Sequence, residues 1–577
     1  MNSILSIFKN KINFITLTLI ITAALISCNP KMQETVQESV QESDPTLIST
    51  LPLIPTSQQT TQDLALPTPI TFEESDENTL SIAISSDPDS LDPSKAGTFA
   101  AAQVLDLTGC SLIAIDKDGF PQPYIAKSWD ISPDGLTYTF KLREDATFHN
   151  GEPITAADFD YAFRRALDPE LASPVAGPNL GELISIEILD DYQLQIKLPA
   201  AHYPFLLALA DSAFMQPIPA SEIDRIGETA YGRSPTGCGP YKFKIWESGN
   251  RILLEKYPEF NWGPEKAWGN SAAWKFDQIE FKVIPENLDI ALLLESGQID
   301  LASIDYLTKI SLSNDDKLSV ISSPQKGINP FVALNTSRVP FNSRTFRQAI
   351  SHSIDKAAIA QITTQGNAEI QFSPLSSSQI GFDASLEEKS LGLDLDEAAQ
   401  LMKNSGYIKN NSGKWTIKEK EFSLEILTMP FDTWIQTANI LQQQLETFGI
   451  STEVSILESD TAISNLLAGE YDLAIFGFNY IEADILWLMF HSSQIGAYNM
   501  GLVNDPDLDD FLDQTRSKTN SIDRQEAVVE AQAHIMKQSY IIPLYTPMNF
   551  TAINNRIKNI QISNIQGIDL SGAYLIK

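Results

Sequence analysis

Between residues 422 and 476 the chain alternates segments that have a strand pattern with segments that have a helix pattern. The strand pattern covers Phe422–Leu427, Ile450–Leu457 and Tyr471–Phe476, and the helix pattern covers Trp434–Phe448 and Thr461–Leu467. A β-α-β-α-β order predicts a parallel sheet covered by helices on both faces. This stretch therefore predicts an α/β lobe.

Residues 135–162 predict a strand, a turn and a capped helix. Apolar side chains alternate with polar ones, which places one face of a strand in a core; the apolar members are Leu136, Tyr138, Phe140 and Leu142. Asn150-Gly151 is typical of a turn. Thr155 precedes Asp158 by three residues, the spacing of a capping box, so we expect a helix from about Ala156 to Leu167.

The length of the chain excludes a single compact core. A chain of 577 residues is expected to form two or three lobes. A first strand is expected near Thr79, where Leu80, Ile82 and Ile84 alternate with small residues.

The chain is strongly acidic. Its formal charge is −34, and the first 28 residues contain Lys9 and Lys11 but no acid, so the remainder carries −34 − 2 = −36. Such a surface repels nucleic acid and anionic lipid headgroups. We therefore expect no nucleic-acid partner, and solubility after export is a sufficient explanation for the acidity.

The N-terminus has the pattern of an export signal. Lys9 and Lys11 precede the apolar run Ile12–Ile26, which is too short and too rich in threonine for a membrane span. Residues 25–28, Leu-Ile-Ser-Cys, match a lipobox, which predicts a signal peptide over residues 1–28 and a mature chain lipidated at Cys28. The alternative is an ordinary cleaved signal with an incidental cysteine. Residues 29–78 are polar and aperiodic, which predicts a disordered tether.

Two further cysteines, Cys110 and Cys238, remain in the exported part. An oxidising compartment permits a disulfide bond between them. A small buried thiol at position 238 explains the same sequence, so both alternatives stay open.

Signals for catalysis or metal binding are nearly absent from the sequence. It contains no GxxxxGK[ST], GxSxG or HExxH motif, and its five histidines are scattered. We therefore predict no catalytic residue, no metal site and no cofactor. His149 is expected to make a structural hydrogen bond rather than to bind a ligand.

Two acidic clusters have structural explanations. The cluster at Asp505, Asp507, Asp509 and Asp510 lacks the glycine and the final glutamate of a calcium loop, and is better explained as the start of a helix over Leu508–Thr515. The other cluster, Asp87, Asp89 and Asp92, lies among prolines and suits a turn. Asp87 and Asp89 are nevertheless kept as candidate ligand-binding residues.

Several ordered sequence blocks together resemble the family 5 extracellular solute-binding proteins, which include the oligopeptide, dipeptide and nickel receptors of bacterial ABC importers. The blocks are residues 135–162, the Gly-Cys-Gly-Pro-Tyr-Lys-Phe run at 237–243, Leu-Asn-Thr at 334–336, Pro-Phe at 340–341, and Arg-Gln-Ala to Ile-Asp at 347–355.

The resemblance implies a hinged, two-lobed α/β fold of the periplasmic-binding-protein type, with an extra subdomain in the first lobe. The first lobe is expected to contain residues 79–122, 213–325 and 541–577. The extra subdomain is expected at 123–212 and the second lobe at 326–540.

The resemblance also directs attention to residues 476–492 as a ligand site. In peptide-binding relatives this stretch carries an aromatic residue and, three places later, an aspartate that pairs with the ammonium group of the peptide. These positions fall on Phe476 and Asn479, so the acidic anchor is replaced by a neutral amide. Glu482 and Asp484 are candidates to replace the lost acid, and their alternative role is charge at the start of the helix over Ile485–Phe490.

Aromatic side chains are expected to line the pocket, with membership of the core as the alternative. They are Phe476, Phe478, Tyr480, Trp487 and Trp434.

The function that the resemblance implies is that of a substrate-binding lipoprotein of an ABC importer. It would capture an oligopeptide-like solute and deliver it to permease subunits served by ATPases. We expect an exported monomer held by its lipid at the outer face of the cytoplasmic membrane or in the periplasm. The alternatives are a sensory lipoprotein, a receptor for a non-peptide ligand such as a sugar or metal chelate, and a secreted hydrolase.

Overall fold

Two separate mixed β-sheets organise the protein into two lobes. The computed structural model describes residues 78–264, 274–284, 290–563 and 567–576. The larger sheet has the strand order β12-β22-β11-β1-β10-β9-β8, with β14 also paired to β22, and the second has the order β19-β18-β20-β13-β21. The predicted two-lobed α/β fold class is confirmed.

The described strands have the following bounds: β1 Thr79–Ile84, β2 Ile113–Ile115, β3 Pro121–Pro123, β4 Ala126–Ile131, β5 Thr137–Leu142, β6 Ser185–Asp190, β7 Gln193–Lys197, β8 Tyr241–Glu247, β9 Arg251–Lys256, β10 Gln278–Val283, β11 Leu301–Ile304, β12 Leu318–Pro324, β13 Ile328–Leu334, β14 Ala368–Ile370, β15 Tyr407–Lys409, β16 Trp415–Ile417, β17 Lys420–Glu421, β18 Ser423–Thr428, β19 Ser451–Ile456, β20 Leu473–Phe478, β21 Ile541–Pro543, β22 Tyr545–Asn554, β23 Ile557–Lys558, β24 Gln561–Ser563, β25 Gly567–Asp569 and β26 Tyr574–Leu575.

The described α-helices have the following bounds: α1 Phe99–Thr108, α2 Ala156–Ala166, α3 Ala176–Leu180, α4 Pro204–Ala208, α5 Ala220–Ile226, α6 Glu228–Tyr231, α7 Ile290–Glu295, α8 Tyr306–Ser311, α9 Arg344–His352, α10 Lys356–Thr363, α11 Leu395–Asn404, α12 Asp432–Phe448, α13 Ser459–Ala468, α14 Ile485–Phe490, α15 Pro506–Ser517 and α16 Ser521–Gln538.

The second lobe contains the predicted β-α-β-α-β unit. Strand β18 pairs in parallel with both β19 and β20, and α12 and α13 connect them. Strand β13 joins the same sheet antiparallel to β20. The carboxyl ends of β18 and β20 therefore lie at one edge of this sheet, where loops can present a binding site.

Two short connections carry the chain directly from one large sheet to the other. The first crossing connects β12 to β13, and the second connects β21 to β22. Strand β21 still pairs with β13 in the second sheet, so the return to the first sheet comes after Pro543 rather than at the expected boundary of 541. The other proposed domain limits stay predictions.

The opening segment of the family resemblance forms part of a separate four-stranded sheet with the order β4-β5-β7-β6. In β5 the side chains of Tyr138, Phe140 and Leu142 are buried as predicted, while Lys141 is exposed. The Asp158 carboxylate accepts hydrogen bonds from the Thr155 backbone N–H and hydroxyl, both at 2.8 Å, at the start of α2. The strand, turn and capped helix are therefore confirmed.

Glycine is required at positions 237 and 239, because the backbone there passes very close to the end of α1. A Cβ atom at Gly237 would lie 2.0 Å from the Thr108 carbonyl oxygen, and one at Gly239 would lie 2.6 Å from the Leu107 carbonyl oxygen. Between these glycines, Cys238 forms a disulfide bond with Cys110, which decides between the two alternatives left open by the sequence.

His149 has the structural role that we expected. Its Nε2 lies 3.0 Å from the Gly239 carbonyl oxygen, and its ring packs against Tyr257. Burial lowers the pKa of His149 to about 4, so the imidazole is neutral near pH 7.

Two other predicted features also have structural roles. The Arg347 guanidinium donates to the carbonyl oxygens of Gln538 and Ser539, where α16 ends. Asp505 caps α15 by accepting from the backbone N–H groups of Asp507 and Leu508, which confirms that this acidic cluster begins a helix.

The predictions for the N-terminus lie outside the described residues. They concern the signal peptide, the lipidated Cys28 and, except for Asn78, the tether. Among the helices that are described, none combines the length and apolar character needed to cross a membrane.

Candidate functional site

An aromatic cluster lies at the carboxyl edge of the second sheet. It contains Phe476 and Phe478 at the end of β20, with Trp434 from the start of α12. The ring centroids of Trp434 and Phe476 are 5.8 Å apart, and those of Phe476 and Phe478 are 5.0 Å apart. Phe331 packs against both phenylalanines. The fold thus brings together three of the predicted aromatic residues.

The aromatic cluster lies at the boundary between the hydrophobic core and the solvent. Phe476 is buried, whereas Phe478 and Trp434 are only partly buried, as is Tyr498, which packs against Phe478. Partly buried rings at a sheet edge offer apolar contact area to a ligand.

Asn479 follows this cluster and is exposed. Its Oδ1 accepts a hydrogen bond of 2.9 Å from the Asn329 Nδ2. The loop is held close to the first crossing, because the Cβ position of Gly327 lies 2.0 Å from the Phe478 carbonyl oxygen. The polar group beside the aromatic cluster is therefore a pair of neutral amides.

Glu482 and Asp484 are buried in ion pairs rather than open to the solvent. Glu482 pairs with Arg524, and Asp484 binds Arg516 through two hydrogen bonds of 2.6 Å. Burial raises the pKa of Glu482, and the Arg524 guanidinium opposes this effect. Both carboxylates are paired with arginines in this structure, and a role for either in place of the missing acid at position 479 stays a prediction.

The other two predicted aromatic residues, Tyr480 and Trp487, lie outside the aromatic cluster. Tyr480 is 36% exposed and lies next to Asn479 in the loop. The Trp487 ring lies 3.3 Å from the Arg516 guanidinium carbon, and its Nε1 donates to Asp513. Trp487 thus packs against α15 instead of joining the aromatic cluster.

Asp87 and Asp89 lie in the loop that follows β1, and both carboxylates are hydrogen-bonded to other residues of the protein. Asp87 accepts hydrogen bonds from the Trp246 Nε1, the Ser248 hydroxyl and the Gly249 N–H. Asp89 accepts from the Thr98 hydroxyl at 2.8 Å and from the Gly97 N–H. Asp89 thus closes a local turn before α1, whereas Asp87 ties the loop after β1 to the hairpin of β8 and β9. Contact of either aspartate with a ligand stays a prediction.

Three charged residues that the sequence reasoning missed lie near the first crossing. Lys326 is in the crossing itself, Asp106 is in the last turn of α1, and Asp211 follows α4. Burial raises the pKa of Asp106 and raises that of Asp211 to about 7, where the charge of Asp106 adds to the effect. Burial lowers the pKa of Lys326, and the two aspartates oppose this.

The side chains of Asp106 and Lys326 are exposed to solvent. The surrounding protein nevertheless shields them from part of the water, which disfavours their charged forms. This combination is expected for groups on the wall of a deep recess, where water has access from one side only. No motif marks these residues, because they are more than 100 positions apart in the sequence and only the fold brings them together.

Comparison with known proteins identifies the group to which this architecture belongs. A family model described as bacterial extracellular solute-binding proteins, family 5 middle, matches residues 121–497. The chain belongs to this family.

Named relatives of this solute-binding protein bind different ligands. The dipeptide-binding protein DppE of Bacillus subtilis is 24% identical over 523 residues, covering 86% of this chain and 92% of the relative. Heme-binding protein A of Haemophilus influenzae is 25% identical over 465 residues, covering 76% and 81%. The solved structure of HbpA2 from Haemophilus parasuis has a TM-score of 0.74 at 21% identity, covering 87% and 100%, and shows the same fold.

Proposed function

We propose that this protein is the substrate-binding lipoprotein of an ABC importer, which captures an oligopeptide-like solute between its lobes and delivers it to a permease. The observation that carries the proposal is the partly exposed aromatic cluster beside Asn479, at the carboxyl edge of an α/β sheet. Relatives named as dipeptide- and oligopeptide-binding proteins support it.

The ligand would lie extended between the lobes. Its main chain would form hydrogen bonds with backbone groups, as an added strand does. Apolar side chains would pack on Phe478 and Trp434, and bridging water molecules would let the site accept different side chains.

The site favours a ligand end without a positive charge. Asn479 and Asn329 are neutral, and Arg524 and Arg516 already pair with Glu482 and Asp484. A charge-assisted bond to an ammonium group is about twice as strong as a neutral one, so its loss lowers affinity for a free N-terminus. N-terminally blocked peptides therefore suit this site better than free ones.

The same neutral amide pair supports a second candidate, a receptor for an uncharged non-peptide ligand such as a sugar. Aromatic faces next to amide groups can bind such a molecule by apolar contact and hydrogen bonding. The two candidates differ in the ligand and share the site.

Anchoring and location belong to the same proposal. The mature chain would begin at a lipidated Cys28 and act as a monomer at the outer face of the cytoplasmic membrane or in the periplasm. Intact mass of the membrane fraction would test this, because Cys28→Ser should remove the lipid mass and release the protein from the membrane.

Mass spectrometry of ligands that copurify with the natively expressed full chain tests the function. We expect short peptides, with blocked N-termini enriched, and their loss in Phe478→Ala. Tyr192→Phe is the matched control, because Tyr192 lies in the separate four-stranded subdomain. Recovery of a sugar instead would support the second candidate, and an unchanged ligand load in Phe478→Ala would contradict this location of the site.

A further inference from the structure

Three charged side chains from separate elements come together in the recess beside the first crossing, and the proposed peptide contacts leave them unused. Asp106 lies in the last turn of α1, Asp211 follows α4, and Lys326 lies in the crossing. Both aspartates act on the charge of Lys326, and the charge of Asp106 acts on Asp211. The three groups are therefore neighbours in space, although they are far apart in the sequence.

The fold holds the two carboxylates side by side. The Ser212 hydroxyl donates a 2.9 Å hydrogen bond to Asp106, and Ser212 directly follows Asp211. The end of α1 packs tightly against this loop, because a Cβ atom at Gly109 would lie 2.3 Å from the Ser212 carbonyl oxygen. The helix and the loop cannot separate without losing these contacts, so the two carboxylates stay together.

The backbone on both sides of Lys326 is also fixed. The Gln325 N–H donates to the Pro547 carbonyl oxygen at 2.8 Å. On the other side, the Cβ position of Gly327 lies 2.0 Å from the Phe478 carbonyl oxygen. Lys326 therefore precedes the residue at which the crossing contacts the aromatic cluster, and the charged group borders the candidate site.

The charged group is only partly satisfied within the described residues. The hydrogen bonds that Asp106 and Asp211 accept there are all made to Oδ1, which leaves the Oδ2 atom of each carboxylate without a donor. In the same part of the chain, the Lys326 ammonium group makes no hydrogen bond or ion pair. Two carboxylates and one ammonium group leave one negative charge uncompensated when all three are ionised.

A cation is the ligand group that suits these charges. Burial raises the pKa of Asp106, and burial together with the charge of Asp106 raises the pKa of Asp211 to about 7. A cation beside the two Oδ2 atoms would favour both ionised forms and would add charge-assisted hydrogen bonds. An anion would instead meet two like charges and only one opposite charge.

We propose that Asp106 and Asp211 form a subsite for a cationic side chain of the ligand, and that Lys326 limits the negative charge of this subsite. The proposal rests on the proposed function for the identity of the ligand as a peptide. The end of the site at Asn479 then accepts an uncharged peptide terminus, and the recess beside the crossing accepts a lysine or arginine side chain. The ligand that suits both ends is an N-terminally blocked peptide with a basic residue.

Cation binding at this subsite should be linked to proton release. A cation favours the ionised carboxylates, so it competes with the proton that Asp211 binds below about pH 7. The charged groups that face Asp211 are Asp106 and Lys326. A lysine side chain of the ligand stays charged from pH 5.5 to pH 8, so a change in preference over this range comes from the protein.

The test compares peptides that differ by one charge. N-acetyl-tetraalanine is made in four versions with one lysine, and in four matched versions with norleucine, which has the apolar chain of lysine without the ammonium group. Calorimetry on the full chain gives the ratio of the norleucine Kd to the lysine Kd at each position. We expect a ratio of at least about tenfold at one position at pH 8, and a smaller ratio at pH 5.5.

Asp106→Asn should lower this ratio at least about fivefold, while its amide oxygen still accepts from the Ser212 hydroxyl. Asp316→Asn is the matched control, because it removes the same charge from an exposed surface position and should leave the ratio at the wild-type value. Lys326→Gln should raise the ratio, and a lower ratio would contradict the role of the lysine.

Three results would overturn the proposal. They are a ratio near one at every position in the wild type, a ratio that Asp106→Asn leaves unchanged, and a ratio that is the same at pH 5.5 and pH 8.

Failure of the proposed function is distinguishable from failure of the subsite. If none of these peptides binds the wild type, the peptide assignment fails. Cadaverine, a small diamine, then tests the subsite alone through the thermal unfolding of the full chain. Stabilisation that Asp106→Asn removes and Asp316→Asn keeps supports the subsite, whereas stabilisation that is absent or equal in all of these proteins overturns it.

Discussion

At the scale of single residues, the exposed Asn479 determines which ligand end the proposed site prefers. Its Oδ1 already accepts a bond from Asn329, and the same Nδ2–H can donate to a carboxylate placed there. An aspartate at position 479 could therefore keep the hydrogen bond from Asn329. Its charge would not be neutralised by an arginine of this loop's contacts, because Arg516 and Arg524 pair with Asp484 and Glu482.

Asn479→Asp should raise affinity for tetraalanine with a free N-terminus by about fivefold to tenfold, because a neutral bond becomes a charge-assisted one. Calorimetry on the wild type and the variant measures the change. N-acetyl-tetraalanine is the control ligand and should show no gain. Equal affinities of both proteins for the free peptide would contradict the role of this residue.

Asp211 should make the protein less stable as the pH rises. Its pKa is raised from 3.8 to about 7 in the folded state, since burial and the charge of Asp106 disfavour ionisation. The penalty is absent below pH 3.8, grows as the unfolded chain ionises, and is complete above pH 7. Asp211→Asn keeps an oxygen acceptor for the Ala213 and Phe214 N–H groups and should therefore stabilise the protein at pH 8 by about 1 kcal/mol after solvent screening.

Urea unfolding at pH 4.5 and pH 8 measures this effect. Asp316→Asn, an exposed surface change, is the matched control and should show the same difference between the two pH values as the wild type. A stability gain for Asp211→Asn that is equal at both pH values would rule out the ionisation of Asp211 as its cause.

The sequence identified Asn479, Glu482 and Asp484 as neighbours in a loop, but it could not assign their partners. Arg516 and Arg524 are 32 and 42 residues further along the chain, on two different helices. Only the packing of α15 and α16 brings them to the loop. For the same reason the sequence offered no signal for the group formed by Asp106, Asp211 and Lys326.

At the scale of elements, local sequence patterns predicted the helices and strands whose structure is determined by residues close in sequence. The capping box at Thr155 and Asp158, and the alternation through β5, both depend on contacts within a few residues. The edge at which β13 and β21 join the second sheet depends on long-range pairing and was not predicted. Strand β1 is buried along almost its whole length, because it lies in the middle of a sheet. The alternation of its residues alone would predict that one of its faces is exposed to solvent.

Gly327 tests how tightly the first crossing is packed against the candidate site. Its φ is +101°, and an added Cβ would lie 2.0 Å from the Phe478 carbonyl oxygen. Gly327→Ala should therefore destabilise the protein by at least about 2 kcal/mol more than Gly151→Ala, and the remaining folded protein should bind peptide more weakly. Gly151 is a matched control, since its φ is +88° and nothing lies within 4 Å of its Cβ position. Equal unfolding free energies for the two variants, measured in urea, would contradict the close approach.

At the scale of the whole molecule, the two lobes depend on contacts that are distant in sequence. The resemblance predicted two lobes and a separate subdomain, because family membership carries the topology with it. The position of the second crossing after Pro543 and the contact between Tyr203 and Arg516 followed only from the structure.

The disulfide bond closes a loop with a sequence separation of 128 residues around the subdomain. Replacing Cys110 and Cys238 with serine should lower the free energy of unfolding by about 3 kcal/mol, since the unfolded chain gains freedom. Guanidinium unfolding of the two proteins measures the loss. Alkylation followed by mass spectrometry is the control, and two alkylatable thiols in the native wild type would contradict the bond.

The most direct test of the central claim is isothermal titration calorimetry of the full chain with N-acetyl-tetraalanine, repeated on Trp434→Ala. The account predicts binding of one peptide per chain, weakened at least about tenfold by the loss of the indole ring beside Phe476. Identical titration curves for both proteins would contradict a peptide site at this sheet edge, as would the absence of any heat of binding in the wild type.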